Sequence, residues 1–157
     1  MWKTALKSVT STIVLGIAMA GPTYAETVAR GAEAVLTVDG DEYRFTGNCL
    51  LMGRNASQQL RMTVPGSGPD GGHVHLVIYV TTYKPAQFTV YAAATEDEAR
   101  SASLSDDRTT WLLRGGGSHE DVTFSSDAVS AELVTAVYSG GEKVVDETPV
   151  QVEIDGC

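Results

Sequence analysis

The sequence predicts an all-β fold: a single antiparallel β-sandwich or small barrel of about 8–9 strands, closed by one disulfide. Three observations predict it. Apolar residues recur at every second position over short stretches from Ala34 to the C-terminus, the period of strands with one dry and one wet face. Asp-Gly, Pro-Gly and Gly-Gly turn signals separate those stretches at roughly 8–12 residue intervals, as in sandwiches and barrels. The two cysteines, Cys49 and Cys157, stand early in the β text and at its last residue.

Residues 1–25 read as an export signal rather than as structure. Lys3 and Lys7 form a basic start, and Ile13 to Ala20 is an apolar core too short to span a bilayer. Thr23-Tyr24-Ala25 places small residues at the two positions a signal peptidase reads, so cleavage after Ala25 would make Glu26 the mature start, with Ala18-Met19-Ala20 the second choice. Neither site carries the cysteine that a lipid anchor requires, and no second long apolar run follows. Residues 26–157 are therefore expected to be one β domain without a transmembrane segment, exported to the periplasm or outside the cell of a bacterium. In that oxidising setting two cysteines are read as a disulfide. On the chain-entropy model, closing so long a loop contributes about 4–5 kcal/mol.

Each strand has its own signature. Ala34, Leu36 and Val38 alternate with Val35 and Thr37, and Asp39-Gly40 then suits a hairpin turn whose two central residues need positive φ. Tyr43 and Phe45 share a face of the returning strand, which Gly47-Asn48 ends before Cys49. Gln58 to Val64 places Leu60, Met62 and Val64 inward. Pro65 to Gly72 reads as a loop rich in breakers. His73 to Thr82 is the most apolar strand, with Val74, Leu76, Ile78 and Val80 on one face. Gln87 to Ala93 follows the turn at Lys84-Pro85. Ala94 to Asp107 lacks β formers and reads as a loop with one helical turn. Thr109 to Arg114, Asp121 to Ser125, Ala131 to Tyr138, Glu142 to Val145 and Thr148 to Cys157 complete the set. In the last, Val150, Val152 and Ile154 alternate with Gln151 and Glu153.

The charge excludes some partners. Twenty acidic residues face eleven basic ones, a net charge of −9, and removing Lys3 and Lys7 makes the balance more acidic. Nucleic acid and anionic membranes both call for basic patches, so neither is an expected partner.

Few residues suggest chemistry. His73-Val74-His75 sets two imidazoles on one strand face, which reads as wet; with His119 or Asp70 they could hold a divalent metal such as Cu or Zn. Met52 and Met62 could extend a copper site, although Met62 falls in the apolar register. Ser118-His119-Glu120-Asp121 contains hydrolase residue types, but consecutive residues cannot form a triad, which must meet across space. Gly115-Gly116-Gly117 lacks the Lys-Ser/Thr of a phosphate loop. Asp39-Gly40-Asp41-Glu42 and Asp106-Asp107 lack the spacing of a calcium loop. Asn55-Ala56-Ser57 is a formal glycosylation sequon, relevant only in a eukaryotic host. Tyr79, Tyr91, Trp111 and Tyr138 are candidates for an aromatic binding patch.

The opening hairpin, Leu36-Thr37-Val38-Asp39-Gly40 and then Thr46-Gly47-Asn48-Cys49, together with the terminal strand Val150 to Cys157, resembles the layout of the mycobacterial nineteen-kilodalton lipoprotein antigens, the LpqH-like family. The resemblance covers the two ends of the domain. It implies an exported, disulfide-closed β domain without established catalysis, and it carries over Cys49 and Cys157 alone. The lipidated N-terminal cysteine of that family is missing here, so surface anchoring does not carry over.

The expected function is therefore binding rather than catalysis. The partner would be another protein or an envelope component, for example a basic enzyme neutralised by an acidic inhibitor or immunity-type protein. The alternative is a small periplasmic metal-binding protein using His73 and His75.

Overall fold

A computed structural model describes residues 28–53, 55–101 and 110–157. The signal reading of residues 1–25, the Glu26 start, Asp106-Asp107 and the rest of the 94–107 segment beyond Ser101 lie outside the described residues, as does the side chain of Asn55.

Nine strands form one antiparallel sheet: β1 (Val28–Val38), β2 (Asp41–Met52), β3 (Gln59–Ser67), β4 (His73–Thr81), β5 (Ala86–Ala93), β6 (Thr110–Gly117), β7 (Val122–Phe124), β8 (Ala128–Ser139) and β9 (Glu142–Asp155). One short helix, α1 (Glu96–Ser101), lies in the β5–β6 connection, and single 3-10 turns stand at Asn55–Ser57 and His119–Asp121. Strands β1 to β5 each pair with the next, β9 returns to β1, β8 pairs with β9, and β6 closes on β8. The result is an eight-stranded barrel rather than a sandwich. The ninth strand, β7, stands outside the ring. It occupies the edge of β8 at Val129 to Ala131, next to the stretch Val134 to Val137 that β6 takes.

The barrel closes because the alternating apolar residues all point inward. Val64, Leu76, Val90, Leu113 and Val137 face one another in register across β3, β4, β5, β6 and β8. Cys49, Met62, Ile78 and Phe88 form a second such row. Leu36, Phe45, Leu60, Leu76, Ile78, Val80, Val90 and Ile154 have no exposed surface. Eight strands enclose an interior that side chains can fill, and burying each large apolar chain contributes about 1.5–3 kcal/mol. The closing strand β6 has special needs. A Cβ on Gly115 would run into the Val134 carbonyl oxygen and one on Gly116 into that of Ala86. The glycines thus let β5, β6 and β8 approach closely.

Several element boundaries differ from the sequence reading. β2 does not end at Gly47-Asn48 but runs through Cys49 to Met52. β1 begins at Val28, ahead of Ala34. β3 runs through Pro65 to Ser67, so the expected loop shrinks to a turn in which the Gly68 N–H donates to the Gly72 carbonyl at 2.9 Å. Pro65 is tolerated because the β2–β3 ladder lapses between Phe45↔Gly66 and Cys49↔Met62, leaving no bond for the missing N–H to make. Likewise Glu142 to Asp155 is one strand through Pro149, which sits one residue beyond the point where β1 stops pairing with β9, at Val38↔Val150. The Asp39-Gly40 turn is as expected, with φ of 50° and 88°.

Cys49 and Cys157 are bonded, with Cα atoms 5.9 Å apart and 108 positions apart in sequence. Gly156, with φ of 80°, turns the chain inward after β9, and its N–H donates to the Asp127 carbonyl at 2.8 Å. The alternation of strand direction then defines two ends. The β1–β2, β3–β4 and β8–β9 turns and the α1 connection share one, here called the hairpin end; the β2–β3 and β4–β5 connections, the β6–β8 segment and Cys157 share the other. Among the described residues no helix is long and apolar enough to cross a membrane.

Candidate functional site

Carboxylates crowd the hairpin end. The tight turn at Asp39-Gly40 brings Asp41 and Glu42 beside it, Asp70 stands in the β3–β4 turn, and α1 contributes Glu96, Asp97 and Glu98. The first turn of β9 adds Glu142, with Asp146 and Glu147 further along. These are ten of the seventeen Asp and Glu residues in the described segments, and all ten are exposed. Among the described residues three cations share that end, and each is engaged by a carboxylate: Arg44 by Glu42, Arg100 by Glu96, and Lys143 by Asp146 at 2.9 Å. The last pairing holds the Lys143 ammonium above its ordinary pKa. What remains is a one-signed rim of turns, able to attract a cationic surface over about a Debye length of 8–10 Å.

On the outer wall below this rim, aromatic rings form a row across four strands. His75 on β4 stands opposite Tyr91 on β5, ring centroids 6.3 Å apart. Trp111 on β6 meets Tyr91 edge-on at 6.4 Å and Tyr138 on β8 edge-on at 6.0 Å. A bulge between Val90 and Tyr91 brings Trp111 opposite Tyr91. The Arg114 guanidinium lies 4.4 Å from the Trp111 ring centre, a cation–π contact of about 0.5–2 kcal/mol. Burial raises the Tyr91 phenol's pKa, opposed by Thr89 and Arg114. Of the four aromatic residues singled out in the sequence, Tyr91, Trp111 and Tyr138 thus assemble. Tyr79 does not join them: its hydroxyl donates to Gln59 Oε1 at 2.9 Å, which also receives the Tyr83 hydroxyl.

His75 corrects a further expectation. Its strand face is not wet there, because α1 packs over β3, β4 and β5 and leaves His75 only 1 % exposed. Neither ring nitrogen has a hydrogen-bond partner. His73, two residues earlier on the same face, is exposed. His119 stands in the 3-10 turn after β6, at the other end of the barrel from His73, so the strand pair and His119 do not converge. Among the described residues no group of three or more His, Cys, Asp or Glu side chains is placed to hold a metal ion. Met62 is buried in the core, and Met52 accepts a long 3.9 Å contact from the Gln59 amide.

The remaining candidates have structural duties. Ser118 caps the 3-10 turn, its hydroxyl accepting from the Glu120 N–H at 3.2 Å. Gly115 to Gly117 lie inside β6 rather than in a loop. A shallow groove of about 310 Å³ runs over β7, β8 and β9 on the outside, with Glu120, Asp121, Glu132 and Glu153 on its walls. Sequence reasoning missed the hairpin-end rim. The acidic residues were visible, but which turns share an end depends on strand order. Compared with known proteins, the chain matches no family model and no curated protein.

Proposed function

We propose that this chain is an exported, non-catalytic binding domain that docks a cationic surface of another protein, or of an envelope component, onto the hairpin end of its barrel. The observation that carries the reading is the gathering of ten exposed carboxylates on the turns of one end, with the three cations described there already paired. Loops held by a rigid barrel are well suited to recognition, and a one-signed rim speeds encounter with a complementary partner. Export is supported by the basic and apolar start of the chain and by its disulfide. The layout shared with the LpqH-like family adds the same expectation and no residue beyond the two cysteines.

The test is capture from a native envelope extract by the immobilised domain at low and high salt. A variant with Glu96→Gln, Asp97→Asn, Glu98→Gln and Glu142→Gln should lose the captured partner. A control neutralising Glu120, Glu132 and Glu153 at the external groove should keep it. Equal capture by both variants would remove the hairpin end from the account. Isothermal titration with Cu(II) and Zn(II), comparing wild type with His73→Ala, addresses the metal-binding alternative. A tight site lost in the variant would favour it over the docking reading.

A further inference from the structure

We propose that His75 is a proton-operated latch: protonating it in mildly acidic surroundings lifts α1 from the barrel wall and uncovers the Tyr91 end of the aromatic row. Two features of the structure support this. The first is the imidazole itself, 1 % exposed with neither ring nitrogen hydrogen-bonded. A buried polar group in that state is costly while neutral and far more so once charged. The second is the slight seating of the cover. Ala99 is the one buried residue of α1. The hydrogen bonds described for the helix stay within its own segment: the Glu98 N–H donates to Thr95 Oγ1, the Ala94 N–H to the Glu98 carboxylate, the Ala99 N–H to the Thr95 carbonyl and the Ser101 hydroxyl to the Asp97 carbonyl. The helix can therefore leave the wall without breaking any of these.

Among the described residues no countercharge is placed to balance a protonated His75. From β3 it faces Pro65, and that strand's charge, Arg61, stands opposite Tyr79, four pairs further along. From β5 it faces Tyr91, with Trp111 and Arg114 beyond. On its own strand the nearest titratable groups are His73 and Tyr79. On α1 the residue against the wall is Ala99, while Glu96, Asp97, Glu98 and Arg100 are exposed. Burial accordingly pushes the pKa below the ordinary 6.5, and the Ala99 backbone, near the ring but out of hydrogen-bond geometry, offsets this only in part. In the open form the imidazole regains water and its ordinary pKa. The proton therefore binds the open form preferentially, and opening increases as pH falls below about 6.5. The latch stands apart from the docking reading, although α1 carries three of the rim's carboxylates.

Hydrogen-exchange mass spectrometry on the full-length protein tests the latch, following a peptide that spans residues 94–101 at pH 7.5 and 5.5 with intrinsic exchange rates divided out. The wild type should open more at pH 5.5, by up to about tenfold. His75→Gln, which cannot be protonated, should change less than twofold. Wild-type opening that is the same at both pH values overturns the proposal. So does an equal increase in the variant, which would assign the effect to another group. His75→Phe serves in the same comparison if the glutamine variant does not keep the barrel's circular dichroism.

Discussion

Each residue of the wall has two neighbours in the sheet and one layer above or below, and that geometry decides what a substitution costs. Gly115 has no room: an added Cβ would strike the Val134 carbonyl. Gly115→Ala should therefore lose about 1–3 kcal/mol in urea unfolding, the usual cost of overpacking. Gly31 on β1 meets nothing within 4 Å, so Gly31→Ala should stay within about 0.5 kcal/mol, the range of a neutral surface change. His75 adds a pH dependence to global stability. Its folded pKa is lowered, so below about 6.5 the unfolded chain binds the extra proton. Stability therefore falls with acid, by up to about 1.4 kcal/mol for the first pH unit, and levels off once the folded state is protonated too. Urea midpoints at pH 7.5 and 5.5 should separate wild type from His75→Gln in that direction.

At the scale of elements, the closing strands carry the design. β9 is held three ways: by β8 along its length, by β1 over Val150 to Asp155, and by the Cys157 bond. Replacing both cysteines by serine should cost about 2–5 kcal/mol, read by chemical denaturation. Phe45→Ala on β2, a fully buried ring, should cost about 3–5 kcal/mol in the same assay. The strands themselves were legible because Leu60, Met62 and Val64, or Val150, Val152 and Ile154, alternate without interruption. Closure was not legible. The pairing of β6 with β8 and of β9 with β1 joins residues far apart in sequence, and alternation says nothing about which edges meet. Pro65 misled, since it read as a break yet falls where a neighbouring ladder lapses, while Asp146-Glu147, left between two expected strands, runs on inside β9. The charged run at Glu96 read correctly as one helical turn. Its seat on the wall rests on a single alanine, so the burial of His75 beneath it could not be read from the strand's period.

At the scale of the molecule, an interior packed with side chains directs attention to the outside. The barrel presents a carboxylate rim at one end, an aromatic row on one wall, and a disulfide-tied end where the chain finishes. Only the first had a compositional trace, the net charge of −9; its concentration on one end follows from strand direction. Mapping backbone amide shifts of the labelled domain on addition of the captured partner tests this account most directly. The account predicts perturbations confined to the turns at residues 39–42 and 68–72, to α1, and to residues 140–147, weakening as salt rises. Perturbations centred instead on the groove between Glu120 and Glu153, and insensitive to salt, would contradict it.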